Sequence, residues 1–150
     1  MKYFELPDDL VLPTIEEIVE IHDEQLALYG GMIGQNAERF AGVDATLGRV
    51  LAHVSYSENP DLLSTMAILW HGLNQAHAFL DANKRTALMT MATTLEMNGV
   101  TYDRGDEYAA LFIENLFAQK AEDEHVNVED FEIYLRQNTR VLYLPVAPDL

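Results

Sequence analysis

Apolar residues recur at helical spacing over most of this chain, and the points where the rhythm stops carry helix-ending chemistry. Ile15, Ile18, Val19, His22, Leu26 and Tyr29 mark one stripe. Thr14, with Glu17 three positions later, forms a capping-box pattern in front of it, and Gly30-Gly31 closes it. A second helix is predicted from about Asp44 to Val54 through Leu47, Val50, Leu51 and Val54, ended by the turn Glu58-Asn59-Pro60. The third, over 61–77 with Asp61 as its cap, is apolar around most of its circumference (Leu62, Leu63, Met66, Leu69, Trp70, Leu73), as a helix surrounded by others should be. Lys84 to Asn98 gives a fourth, with Ala87, Leu88, Met91 and Leu95 inward and Gly99 just beyond its end. Val100-Thr101-Tyr102 is too short to read as more than a connector. Further helices are predicted near 104–119 and 127–138, and 141–150, with Pro145 and Pro148, reads as an irregular tail. The pattern predicts an all-α helical bundle, a single domain over 1–150 with its core at about 11–140.

Composition agrees with one core. The 150 residues are 49% hydrophobic and 23% charged, and a chain of this length buries about 70% of its unfolded surface. Absence of cysteine excludes disulfides and thiolate metal sites. Nine basic residues against 25 acidic ones give a net charge of −16. Such a surface repels nucleic acid and anionic membranes, so no direct nucleic-acid partner is expected. The ten acids against two bases between 103 and 132 read as a solvated outer face. Nineteen uncharged residues separate Asp61 from Asp81, but Ser64, Thr65, His71, Asn74, Gln75 and His77 interrupt them, so the stretch reads as a buried helix and not a membrane span. The first nine residues lack the apolar run of a secretory signal, and the expected location is the cytoplasm.

One segment stands above this background. His77-Ala78-Phe79-Leu80-Asp81-Ala82-Asn83-Lys84-Arg85 concentrates an imidazole, a carboxylate, an amide and two cations at the junction of the two most apolar helices. Polar groups there are costly unless paired or used. The junction ends at a helix start, where backbone N–H groups and the macrodipole favour an anion. Ala82 is small enough for the backbone to come close, and Lys84 and Arg85 add two positive charges, which together suit a phosphate cradle. Asp81 would repel phosphate unless a hard cation lay between them, and Mg²⁺ commonly binds through one carboxylate plus substrate phosphates. A competing role for Asp81 is as cap of the following helix. His77 can accept a proton from an incoming hydroxyl. Base, metal ligand and phosphate clamp are the parts needed for transfer from a nucleoside triphosphate. His22, with Asp23 and Glu24 beside it, does not read as a metal set, because adjacent residues on a helix point in different directions.

The segment resembles the Fic/Doc signature H-x-F-x-(D/E)-(G/A)-N-(G/K)-R, and Asn83-Lys84-Arg85-Thr86-Ala87-Leu88 is similar to the Doc, or death-on-curing, branch. Ile21-His22-Asp23-Glu24-Gln25 and Tyr29-Gly30-Gly31 resemble that family's opening helix and glycine turn. The resemblance implies a helical fold with its active-site loop between two central helices. It also implies His77 as general base, Asp81 as Mg²⁺ ligand, and Ala82, Asn83, Lys84 and Arg85 around the phosphates of ATP. A substrate-side flap is expected between Met32 and Val43. Departures are Ala78, where Pro or Ile is common, and about ten extra residues at the N-terminus. Fic adenylyltransferases usually carry Gly at the place of Lys84 and a second Arg at the place of Leu88. The Doc branch instead passes the γ-phosphoryl group to a threonine of elongation factor Tu, halting translation. The (S/T)-x-x-x-E-(G/N) helix that silences many Fic proteins has no counterpart here, so the resemblance implies control in trans by an antitoxin protein. The competing readings are Fic-type adenylyl transfer and an inactive module that uses the fold only to bind a partner.

Overall fold

The computed structural model describes residues 4–119 and 126–141. Six helices appear among them: α1 (Ile15–Tyr29), α2 (Ala41–Tyr56), α3 (Leu62–Ala76), α4 (Asn83–Met97), α5 (Asp106–Gln119) and α6 (Val128–Gln137). The all-α class is therefore correct. The capping box at Thr14 and Glu17 is formed, with hydrogen bonds of 3.1 Å in both directions. Helix α2 starts at Ala41, three residues before the start expected from its apolar stripe, and no side chain caps it.

Helix α3 is the axis of the molecule. It packs against α2, α4 and α6, and Leu63, Met66, Ala67, Leu69 and Trp70 have no exposed surface. Two glycine contacts let α2 come close. A Cβ on Gly72 would sit 2.5 Å from Thr46 Cγ2, and one on Gly42 would sit 3.0 Å from Ala76 Cβ. Trp70 is wrapped by Phe112, Phe131 and Tyr134, which fastens α5 and α6 to the axis.

At its N-terminus, α3 is locked by a buried ion pair. Asp61 caps the helix through the Ser64 N–H at 2.8 Å and accepts both Arg136 terminal nitrogens, at 2.8 and 2.9 Å. The Phe4 N–H also reaches this carboxylate. Burial alone would raise the Asp61 pKa, but Arg136 and the Ser64 and Phe4 N–H groups outweigh it and hold the carboxyl below its ordinary value.

Two expectations need correction. Val100–Tyr102 is a strand, β1, and pairs antiparallel with β2, Thr139–Val141, in the register Val100 opposite Val141. Three residues are too few to display a period of two, and the partner lies some forty residues away, so local pattern carries no trace of the pairing. Val141 therefore belongs to a strand and not to an irregular tail, while 142–150 lie outside the described residues. Among the described residues no helix is long and apolar enough to cross a membrane.

Candidate active site

The His77–Arg85 segment forms the turn from α3 into α4. At the end of α3, Arg39 donates to the carbonyls of Ala76 and Gln75, at 3.2 and 3.3 Å, placing a cation where the helix dipole is negative. His77 then takes a left-handed conformation (φ 49°), and Ala82 takes another (φ 62°) immediately before α4. Each costs about 1–2 kcal/mol for a residue with a Cβ. Such a loop persists only if its surroundings over-determine it.

They do. The Asn83 side chain donates to the Phe79 carbonyl at 2.9 Å and accepts the Phe79 N–H at 3.0 Å. Asn36 donates its N–H to the Ala78 carbonyl, and the Leu80 N–H donates to the Gly34 carbonyl, forming a one-residue antiparallel bridge between Gln35 and Phe79. Residues 34–36, within the stretch where a flap is expected, thus border the loop edge to edge, while 41–43 at its far end already belong to α2. Beneath the loop, Phe79 is nearly buried, stacked on His22 with ring centroids 3.8 Å apart and edge-on to Phe40.

Asp81 is exposed, and backbone donors hold its carboxylate. Met32 N–H reaches Oδ2 at 3.0 Å and Ala82 N–H reaches Oδ1 at 2.8 Å. These two hydrogen bonds, with lesser help from Arg85 and His22, keep its pKa below the ordinary carboxylate value. The glycine turn is required for this approach. A Cβ on Gly31, whose φ is +132°, would lie 2.8 Å from Asp81 Oδ2. Asp81 does not cap α4, whose first residues carry no side-chain cap. The capping alternative is thereby removed, and the helix start at Asn83 has an ionised carboxylate two residues upstream.

His77 is exposed, and its imidazole has no hydrogen-bond partner among the described residues. Lys84 is exposed as well, while Ala82 is buried. Arg85 donates to the Gly30 carbonyl at 3.1 Å and lies over the Tyr29 ring, which ties the helix start to the end of α1. Beside Lys84 and Arg85 opens a cavity of about 270 Å³ between α1, α4 and α5, with Leu88, Met89 and Ile113 in its wall. All six site residues read from the sequence thus fall on one turn and the first helical residues after it.

Two contributors were not legible as such. Arg39 carries no motif. His22 lies on the apolar stripe of α1, and that is the signal which places it inward: it is 2% exposed and reaches the Asp81 carbonyl.

The chain that carries this turn has counterparts among known proteins. The model of the Fic/DOC family matches residues 12–95, more than half of the chain. Over 98 residues the chain is 38% identical to a protein of Escherichia phage P1 described as "Protein kinase doc", an alignment covering 65% of this chain and 76% of that protein. The chain belongs to the Fic/DOC family. Within it, the Doc branch is the one it joins. The turn between α3 and α4, the glycine turn and the segment that borders the loop all fall within the matched residues.

The donors present fit Mg²⁺ in one way only. Among the described residues no three His, Cys, Asp or Glu side chains cluster as a metal site, so Asp81 alone cannot build a cage. An ionised, exposed carboxylate next to an uncapped helix start matches a cation that takes most of its oxygens from phosphate and water.

Proposed function

We propose that this chain is a Doc-type toxin kinase, which passes the γ-phosphoryl group of ATP to a threonine or serine hydroxyl of a protein target. The observation that carries the reading is the turn itself: a solvent-facing imidazole at one end, and at the other an uncapped helix start beside an ionised carboxylate. His77 takes the proton as the hydroxyl oxygen attacks the γ-phosphorus, and the bond from that phosphorus to the β,γ-bridging oxygen breaks, leaving ADP. The N-terminal backbone of α4, with Lys84 and Arg85, receives the developing charge, an electrostatic contribution that needs no rearrangement during the reaction. Asp81 would hold Mg²⁺, which supplies charge neutralisation between the phosphates. Asn83 contributes chiefly through the loop it clamps, because its side-chain amide is engaged by Phe79.

Two observations support phosphorylation over adenylyl transfer. Where Fic adenylyltransferases carry their second Arg, this chain has Leu88, 6% exposed and in the apolar wall of the cavity. The phage P1 relative is described as a protein kinase. By family resemblance the target is elongation factor Tu, the outcome is arrested translation in the cytoplasm, and an antitoxin protein controls the activity. Incubation with elongation factor Tu and ATP labelled at either the α or the γ position tests the reading. Label transferred from the γ position alone is expected, and label from the α position would overturn it in favour of adenylyl transfer. Equal toxicity of the parent and the His77→Ala variant in growing cells would instead favour a non-catalytic binding module.

A further inference from the structure

His22 is a buried titratable side chain that the proposed reaction does not use. It projects from the middle of α1, has 2% of its surface exposed, and lies directly under the signature loop. Two contacts fix it. The ring stacks on Phe79 at 3.8 Å with planes only 10° apart. Nε2 lies 3.0 Å from the Asp81 carbonyl oxygen, which can only accept, so Nε2 carries the proton and donates. Nδ1 faces the Asp23 carboxylate at 3.3 Å. An aliphatic residue would fill the same space without a donor and would leave the Asp81 carbonyl unsatisfied.

The contact matters because of what the Asp81–Ala82 peptide controls. Its carbonyl end carries the Asp81 side chain, and its nitrogen end leads into Ala82, whose left-handed conformation sets the direction in which α4 begins. The Ala82 N–H of the same peptide donates to Asp81 Oδ1. Rotating this one peptide would swing the carboxylate and the helix start together. Asn36 and Gly34 fix the loop at Ala78 and Leu80, and Asn83 fixes it at Phe79. At the Asp81 carbonyl the donor is His22.

We propose that His22 is a positioning residue of the phosphoryl-transfer site, and that its Nε2–H on the Asp81 carbonyl and its ring under Phe79 set the aim of the Asp81 carboxylate and the α4 start. The inference rests on the nucleotide reading for its functional consequence. The structural part stands without it.

Three substitutions separate the two contacts. His22→Gln keeps an amide donor near the position of Nε2 and loses the stack. His22→Phe keeps the stack and loses the donor, and His22→Ala loses both. Each is made in the full chain carrying His77→Ala, so that toxicity does not limit production. In the absence of ligand, the ¹⁵N–¹H resonances of Met32 and Ala82 report the carboxylate they both hold. With ligand, calorimetric titration of ATP in the presence of Mg²⁺ reports the site, and thermal unfolding reports the fold.

Met32 and Ala82 resonances should move in His22→Phe and His22→Ala. Affinity for Mg²⁺ with ATP should fall about 10–100-fold in both, the range typical of residues that orient a metal ligand. His22→Gln should restore most of that affinity although its melting temperature is no higher than that of His22→Phe. A purely structural role would instead make affinity follow melting temperature across all three. That result, or unmoved Met32 and Ala82 resonances in His22→Phe, would overturn the inference. If the His77→Ala parent binds no nucleotide, the nucleotide reading fails, and the two resonances still decide whether His22 aims the carboxylate.

Discussion

Asp61 and Asp81 stand in front of the two central helices, and both carboxyls are held below their ordinary pKa, yet their surroundings are opposite. Asp61 is 1% exposed, caps α3, and is neutralised by both arms of Arg136. Asp81 is exposed, leaves α4 uncapped, and is held by two backbone N–H groups. The first carboxylate spends its charge inside the fold. The second keeps its charge facing outward, next to a helix start that carries unsatisfied positive potential. One residue type thus does two jobs in front of two helices: Asp61 is the N-cap of α3 and pairs with Arg136, whereas Asp81 lies one residue before the N-cap of α4 and is held by backbone N–H groups.

The largest expected effect separates the chemistry from the fold. His77→Ala should lower phosphoryl transfer by about 10²–10⁴-fold, while the unfolding free energy moves by less than about 0.5 kcal/mol, because the side chain is exposed and has no hydrogen-bond partner among the described residues. A loss of activity matched by a comparable loss of stability would remove His77 from the chemistry. On the other side of the comparison, Asp61→Asn should cost about 3–5 kcal/mol at pH 7, since Arg136 would be left without its main partner. Denaturant unfolding across pH checks the origin of that cost. Asp61 has a depressed pKa in the folded state, so its stabilisation is present above the unfolded value of about 3.9 and is lost as pH falls through the folded one. The gap between parent and variant should therefore close below about pH 4. A gap independent of pH would assign it to packing.

Asp81→Asn is the matching test at the other helix. It should weaken binding of Mg²⁺ with ATP by more than the about 10–100-fold expected for an orienting residue, with little change in melting temperature. A large drop in melting temperature would place Asp81 beside Asp61 as a structural carboxylate. The smallest effect is expected at Ala82. Its left-handed conformation at φ 62° suits glycine, so Ala82→Gly should stabilise the fold by about 0.5–1 kcal/mol once the flexibility of glycine is set against the relieved strain. Thermal unfolding reads it directly. Destabilisation instead would mean that the Ala82 methyl, buried as it is, contributes more by packing than its backbone loses by strain.

How much of this was visible beforehand varies by element. The Thr14 and Asp61 caps, the apolar circumference of α3 and the glycines after α1 and α4 are local signals, and the structure realises each of them. The signature loop was legible for the same reason, since nine consecutive residues hold all the proposed groups. The β1–β2 pair was not, nor were the roles of Arg39 and Arg136. Each of these acts on a segment 36 to 75 residues away or pairs with one comparably distant.

The sequence by itself determined the helical rhythm, the places where helices end, and the chemical content of the turn between α3 and α4. Tertiary structure alone decided which aspartate is neutralised and which stays available, that the Asn83 amide clamps the loop, and that His22 ends up beneath Asp81. Propensity, caps and periodicity act between neighbours along the chain and can be read there. Burial and pairing depend on which distant surface arrives opposite, and only the packed chain specifies that.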